Sequence, residues 1–323
     1  MYERSSEMYG GGAFGLESEA PASVGAPEQS SNGWEVVYRQ LGRGILRNEV
    51  SSVSCGPTTI TQSRTNLACH LTGRSPANAV SLILPLQILG TCRIWGKEID
   101  ENHLVLPGLD QEMDVVIFGV AEVAAITVAH DHFAEVATIF GLDEQVVPAA
   151  GTRLFRMNRT QVERLRELFV VARSENVGLD DGAVGEIILK EACAVMAADT
   201  CEGHCSAGNA TSRMLSVKLA AEFMEEHLDQ PLRLEEVSEV VGVGVRSLQR
   251  SFQEIMGMSP MSYLKALRLN GVRSQLWQAG TEKCLVTKTA QRYGFTHFGH
   301  FGHYYKNMFD ETPSQTLRER RAG

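Results

Sequence analysis

No apolar run in this chain of 323 residues is long enough to span a bilayer. The longest, Val80 to Leu89, is broken by Pro85 and falls well short of the roughly 20 residues required. The start of the chain has no basic stretch followed by an apolar core, so secretion is not expected and a cytoplasmic location is. Seven Cys, an odd number, fit reduced thiols better than a disulfide framework. No phosphate-binding glycine loop and no nucleophile elbow is present, so no motif indicates nucleotide or acyl-transfer chemistry. Positive charge is also scarce, with 30 Lys and Arg against 39 Asp and Glu for a net charge of −9.

That deficit is uneven along the chain. Residues 240–323 hold 12 Lys and Arg against 5 Asp and Glu, a surplus of +7, while residues 1–239 hold 18 against 34, or −16. A locally basic surface can release phosphate counterions whatever the charge of the whole chain.

What the basic third contains is one pattern written twice. Leu248-Gln249-Arg250-Ser251-Phe252 precedes Gly257-Met258-Ser259-Pro260, and Phe301-Gly302-His303-Tyr304-Tyr305 precedes Asp310-Glu311-Thr312-Pro313, in one register fifty-three residues apart. A turn precedes each copy, at Gly242 and at Gly294-Phe295, and a helical apolar pattern precedes each turn. Each copy therefore reads as a helix-turn-helix. In the first, Leu215–Leu228 supports, Leu234–Val241 is the scaffold, and a second helix starts near Val245 with Leu248, Phe252 and Ile255 inward. Ser238 is small where two helices must cross, and Arg246, Gln249, Arg250 and Gln253 then face outward. Arg can pair with guanine O6 and N7 and Gln with adenine N6 and N7, although a solvated polar face would look the same. Met261–Gln278 reads as a rod, with Tyr263, Leu264, Leu267 and Val272 inward and Gly271 serving close packing. The second unit runs through Val286–Tyr293 to a reading helix over His297–Lys306, with His297, Phe298, His300 and His303 exposed and Lys306 placed for a phosphate. Histidine titrates near neutrality, so binding by this half is expected to vary with pH. The three His spread over roughly 120° of helix, too wide for one ion without other ligands.

Residues 1–33 are too poor in apolar side chains to fold and read as a disordered arm. From Trp34 to about Ala129, short apolar segments alternate with Gly, Pro and Asn turns: Trp34–Leu41, Gly44–Val50, Asn66–Leu71, Ala79–Leu86, Thr91–Ile99, His103–Leu106, Met113–Val120 and Val123–Val128. Strands at that spacing suggest an antiparallel sandwich or barrel. Helices follow at Asp131–Phe140, Arg159–Ser174 (capped by Asn158 or Thr160) and Asp181–Ala198. Val162, Leu165, Phe169 and Val170 form one stripe, and Val184, Ile187, Ile188, Ala192 and Val195 another, for packing on the sheet or for a dimer contact. Residues 199–213 are small and polar and read as a linker. The expected fold is α+β: a β-rich domain with following helices over 34–198, and an all-α domain with two helix-turn-helix units over 214–323.

Two residue sets in the front part contain metal-ligand types. His130-Asp131-His132-Phe133-Ala134-Glu135 with Gly141 partly matches a His-x-His, Glu, Gly pattern, one residue short on either side of Glu135, where a strand passes into a helix. Cys201-x-x-His204-Cys205, near Cys193, is short of the four ligands of a structural zinc site, and an inert linker competes with a redox or metal switch. No metal or other cofactor is expected. A ligand pocket, if present, would be an apolar cavity among the strands, with Trp34, Arg93, Trp95, His103 and His130 as candidates beside their ordinary role as sheet residues.

The C-terminal third resembles the AraC/XylS transcriptional regulators. The family pattern is met by Gly242, Leu248, Arg250, Phe252, Gly257, Ser259, Pro260, Tyr263, Leu264, Arg268 and Leu269, then by Ala290, Gly294, Phe295, Phe301, Tyr305, Lys306, Phe309 and Pro313. Residues 268–273 and 294–301 are most similar to the branch containing the ethanolamine-operon regulator. The resemblance implies sequence-specific binding of double-stranded promoter DNA, with Arg246, Gln249 and Arg250 at base edges or phosphates and His297, His300 and His303 facing DNA. It also implies activation of transcription with RNA polymerase as a partner, a small-molecule effector held in a cupin-like barrel, and a homodimer as one option. Gly244 stands where the family usually has a capping Ser, and His303 where it usually has Arg. Rival readings are a front domain that only dimerises, and a metal-dependent cupin-type enzyme fused to a DNA-binding module.

Overall fold

The computed structural model describes residues 28–31, 33–143, 146–147, 151–173, 181–198, 201–205, 212–278 and 286–322. Its strands are β1 Glu28–Ser31, β2 Trp34–Gln40, β3 Asn48–Cys55, β4 Thr58–Thr65, β5 Cys69–Arg74, β6 Ala79–Ile94, β7 Lys97–Ile99, β8 His103–Pro107, β9 Glu112–Ala129, β10 Thr152–Arg156 and β11 Cys201–Cys205. All pair antiparallel into one sheet in the order β1-β2-β5-β9-β6-β8-β10-β11, with β3–β4 attached to β9 and β7 to β6. Strand β1 lies inside the segment expected to be an unfolded arm, and β11 inside the expected linker. The rest of that arm, residues 1–27 and 32, and linker residues 199–200 and 206–211 lie outside the described residues.

The long strands β6 and β9 make the sheet fold over. Gly90 pairs with Gly119 across the ladder, and both have positive φ, +125° and +121°. A Cβ on either would lie 1.8 or 2.1 Å from the carbonyl oxygen of Phe118 or Leu89, so only glycine lets the two backbones meet at this bend. The sequence splits each strand in two, with Gly90 in the gap between Ala79–Leu86 and Thr91–Ile99, and Gly119 inside the expected segment Met113–Val120 rather than at a turn. Beyond the bend, β9 stops pairing with β5 and pairs with β4, so the two arms of the sheet face each other across a cavity.

Helices α1 His130–Ile139, α2 Arg159–Ala172 and α3 Asp181–Ala197 close one side. Asn158 caps α2, its Oδ1 accepting from Gln161 N at 3.0 Å. Val162, Leu165 and Phe169 are buried, as are Val184, Ile188, Ala192 and Val195, in a core shared with β4, β6, β8 and β9. Two members of the expected stripes point out instead: Val170 is 68% exposed and Ile187 43%.

The remaining helices are α4 Ser212–Glu226, α5 Leu234–Val241, α6 Val245–Met256, α7 Pro260–Gln278, α8 Val286–Arg292, α9 Phe298–Phe309 and α10 Pro313–Ala322. None described is long and apolar enough to cross a membrane. Their inward residues, among them Val217, Met224, Phe252 and Tyr263, share one core with Cys92, Trp95 and Val115 of the sheet. Polar contacts cross the same boundary: Arg39 to Glu225 at 2.6 Å, His70 Nδ1 to the Tyr263 hydroxyl at 2.7 Å, and Gln40 Nε2 donating to the Met308 carbonyl at 2.7 Å. Asn270 closes a two-way bond with the Gln40 backbone, at 3.0 and 2.9 Å.

Candidate functional site

Two helix pairs stand on either side of α7. Gly242, left-handed at φ +73°, ends α5 and turns the chain into α6, while Ser238 is buried and donates its hydroxyl to the Val243 carbonyl. Leu248 and Phe252 are fully buried, Ile255 nearly so, which commits the opposite face of α6 to solvent. Arg246, Gln249, Arg250 and Gln253 are all exposed there, as the helical period predicts. Gly244 occupies the N-cap without a side-chain bond, so the first amides of α6 have no capping oxygen.

The second pair repeats this plan. Gly294, at φ +75°, follows α8, and Phe301, Tyr305 and Phe309 anchor α9. His297 at the N-cap of α9 and Phe298, His300, His303 and Lys306 on its outer face are all exposed, with His300 stacked on Tyr304 at 6.2 Å between centroids. His303 Nε2 is tied to Asn307 at 2.9 Å. Gly271 faces the Tyr293 ring, where a Cβ would lie 2.3 Å from Cε1; close packing is its role.

Some participants were missed in the sequence. The guanidinium of Arg250 is held by Glu254 at 2.8 Å, and Arg213 at the start of α4 reaches the same carboxylate at 2.6 Å. Their positive charges and hydrogen bonds, led by the bond from Arg250, hold the Glu254 carboxyl below its usual range. The pairing with Arg250 follows i, i+4 spacing and was legible; the one with Arg213 spans 41 positions and was not. Arg213, Arg250, Ser212, Ser216, Ser247 and Ser251 line a polar cleft of about 430 Å³ against the N-terminus of α6. Hydroxyls, two guanidinium groups and uncapped amides together suit an anionic oxygen. On α7, Lys265 lies over the Tyr304 ring, 4.5 Å from its centroid, and so sits between the two pairs.

The front part places its candidates apart. Trp34 lines the cavity between the arms of the sheet. Arg93 instead pairs with Glu98 and stacks on Phe118, Trp95 lies under Lys218, and His103 is buried against Asp100. His130 is half-buried beside Asp131, whereas His132 bonds Glu186 at 2.9 Å. Among the described residues no three His, Cys, Asp or Glu side chains are placed to share a metal ion. Cys193 is a fully buried core thiol that burial pushes up to about 12. The side chains of Cys201, His204 and Cys205 lie outside the described residues.

Residues 237–319 match the family model described as a helix-turn-helix domain. The chain is 44% identical over 102 residues to a probable thc operon regulatory protein of Rhodococcus erythropolis, covering 32% of this chain and 31% of that protein. It is 34% identical over 106 residues to XylDLEGF operon transcriptional activator 3 of Pseudomonas putida, covering 33% and 32%. A solved structure, of a probable AraC family transcriptional regulator from Rhodopseudomonas palustris CGA009, is 33% identical, with a TM-score of 0.32 over 33% of this chain and 98% of that one. The chain thus spans about a third of the length of the curated relatives it matches.

Proposed function

We propose, from the premise that residues 237–319 are a DNA-binding helix-turn-helix domain of the AraC/XylS type, that this chain is a sequence-specific transcriptional regulator with two reading helices. One observation carries the reading: α6 and α9 each bury one face behind a left-handed glycine turn and expose a face of base- and phosphate-binding side chains. On this account each is one helix of a helix-turn-helix unit, and α7 holds the two at successive major grooves, about 34 Å apart. Arg246, Gln249 and Arg250 contact one box; His297, Phe298, His300, His303 and Lys306 contact the other. The cleft beside Arg213 and Ser247 receives a backbone phosphate. Residues 34–198, a cupin-like folded-over sheet with its helices, sense a small effector in the cavity, and residues 214–323 bind promoter DNA in the cytoplasm and contact RNA polymerase to activate transcription. Placement in the branch of the ethanolamine-operon regulator rests on residues 268–273 and 294–301. The exposed Ile139, Val170 and Ile187 favour, as a second reading, a front part that pairs two copies of the chain.

A pair of substitutions tests the first box. Arg250→Ala should cost about 1–3 kcal/mol at a specific site, roughly a 5- to 150-fold loss, and relax the preference at one base pair. Glu254→Gln should act in the opposite direction, by a few-fold at most, because a solvent-exposed pair is weak and its loss frees the guanidinium. Titration of labelled duplexes measures both; unchanged affinity and base preference in R250A would remove Arg250 from the reading set.

A further inference from the structure

The cavity between the arms of the sheet is chemically one-sided. It encloses about 150 Å³, and its walls, from β2 through β7 and β9, include no Asp, Glu, Lys, Arg or His. The hydroxyls that reach it are already engaged. Ser63 donates to Asn48 at 2.8 Å, Thr65 to the Ala121 carbonyl at 3.3 Å, and the hydroxyls of Thr61 and Ser52 are hydrogen-bonded to each other at 3.1 Å. The Tyr38 hydroxyl bonds Ser63 and Asn48, and burial pushes it up to about 12, so it is neutral at physiological pH; the Cys92 thiol, also raised to about 12 by burial, is neutral too. Among the side-chain nitrogen and oxygen atoms of the described lining residues, one donor is left over. Trp34 Nε1, in the first residue of β2, is shut off from solvent and meets no acceptor among the described residues.

A desolvated N–H without an acceptor is unfavourable and selects whatever supplies one. An anion or cation entering this cavity would leave water for a wall with no counter-charge, and a sugar would bring many hydroxyls to a single free partner. A dry apolar cavity of this size accommodates a molecule about as large as benzene. We propose that the cavity takes an uncharged, mainly apolar molecule of about six to ten non-hydrogen atoms whose single hydrogen-bond acceptor is received by Trp34 Nε1. The inference rests on the reading of this cavity as the effector site, and it narrows that site to neutral carbonyl, ether or nitrile compounds rather than carboxylates, amines or sugars.

Three probes on the full-length chain test it: acetophenone, which has the acceptor; ethylbenzene, which has the shape without it; and benzoate, which has the charge. Binding is read by the rise in melting temperature and by calorimetry. Acetophenone should bind several-fold to about tenfold more tightly than ethylbenzene, the factor one neutral hydrogen bond supplies, and benzoate should bind least. In Trp34→Phe the acetophenone advantage should vanish while ethylbenzene binding stays, and Ala125→Leu, which fills the cavity, should block both neutral probes. Benzoate binding as tightly as acetophenone, no binding by any probe, or an unchanged preference in W34F would each overturn the assignment. Acetophenone binding that leaves DNA affinity unchanged would support the ligand class and remove the effector reading, so the two fail separately.

Discussion

Replacing Arg273 by alanine is expected to cost about 3–5 kcal/mol, the penalty of leaving a buried carboxylate without its cation. Arg273 projects from α7 and meets Glu311 at 2.9 Å, with the two side chains only 7% and 11% exposed. Its guanidinium lies over the Phe309 ring at 4.5 Å. The Glu311 carboxylate also accepts from Thr316 at 2.7 Å, and the Thr316 hydroxyl meets that of Tyr305 at 2.8 Å. One buried chain of contacts therefore ties α7, α9 and α10 together, and through them sets the second helix pair on the rod. The double variant Arg273→Met with Glu311→Leu removes both charges and should recover most of the loss, since a buried ion pair is often replaceable by apolar side chains of similar volume. Chemical denaturation of the three proteins measures this. A loss below about 1 kcal/mol in R273A, or no recovery in the double variant, would show that the pair does not hold the domain as argued.

The second large effect belongs to the bend in the sheet. Gly119→Ala is expected to cost more than about 3 kcal/mol, because a left-handed φ of +121° strains any L side chain and the new Cβ would lie 2.1 Å from the Leu89 carbonyl oxygen. That oxygen belongs to the paired strand and cannot rotate away as a side chain would. Gly141→Ala supplies the control, since it has φ +71° but nothing within 4 Å of its added Cβ and should cost only about 1–2 kcal/mol. Comparable melting temperatures for the two variants would mean that the Gly90–Gly119 crossing does not shape the cavity.

The helical third was read almost residue by residue. Its apolar period is strong, its stops are glycines that must be left-handed, and α5 over Leu234–Val241 has the bounds the pattern predicts. The sheet was less legible. Strand β4, Thr-Thr-Ile-Thr-Gln-Ser-Arg-Thr, carries hydroxyls where a strand pattern shows alternating apolar residues, and it was missed; its place comes from pairing on both sides, to β3 and β9. Strand β11 was missed because its five residues look like a polar connection and are held by pairing with β10. Outward-facing side chains on α6 and α9 follow from helical period alone. The Arg213–Glu254–Arg250 cluster, and the contacts of Gln40 with Asn270 and Met308, join residues far apart in the chain that only the tertiary fold brings together.

The central claim is that this chain reads DNA through two boxes held at a fixed spacing, and selection of duplexes from a random library by the full-length protein tests it most directly. The account predicts enrichment of two short boxes centred about 10–10.5 base pairs apart, lost when half a helical turn is inserted between them. Enrichment of a single box, or of two boxes whose spacing can vary freely, would contradict it.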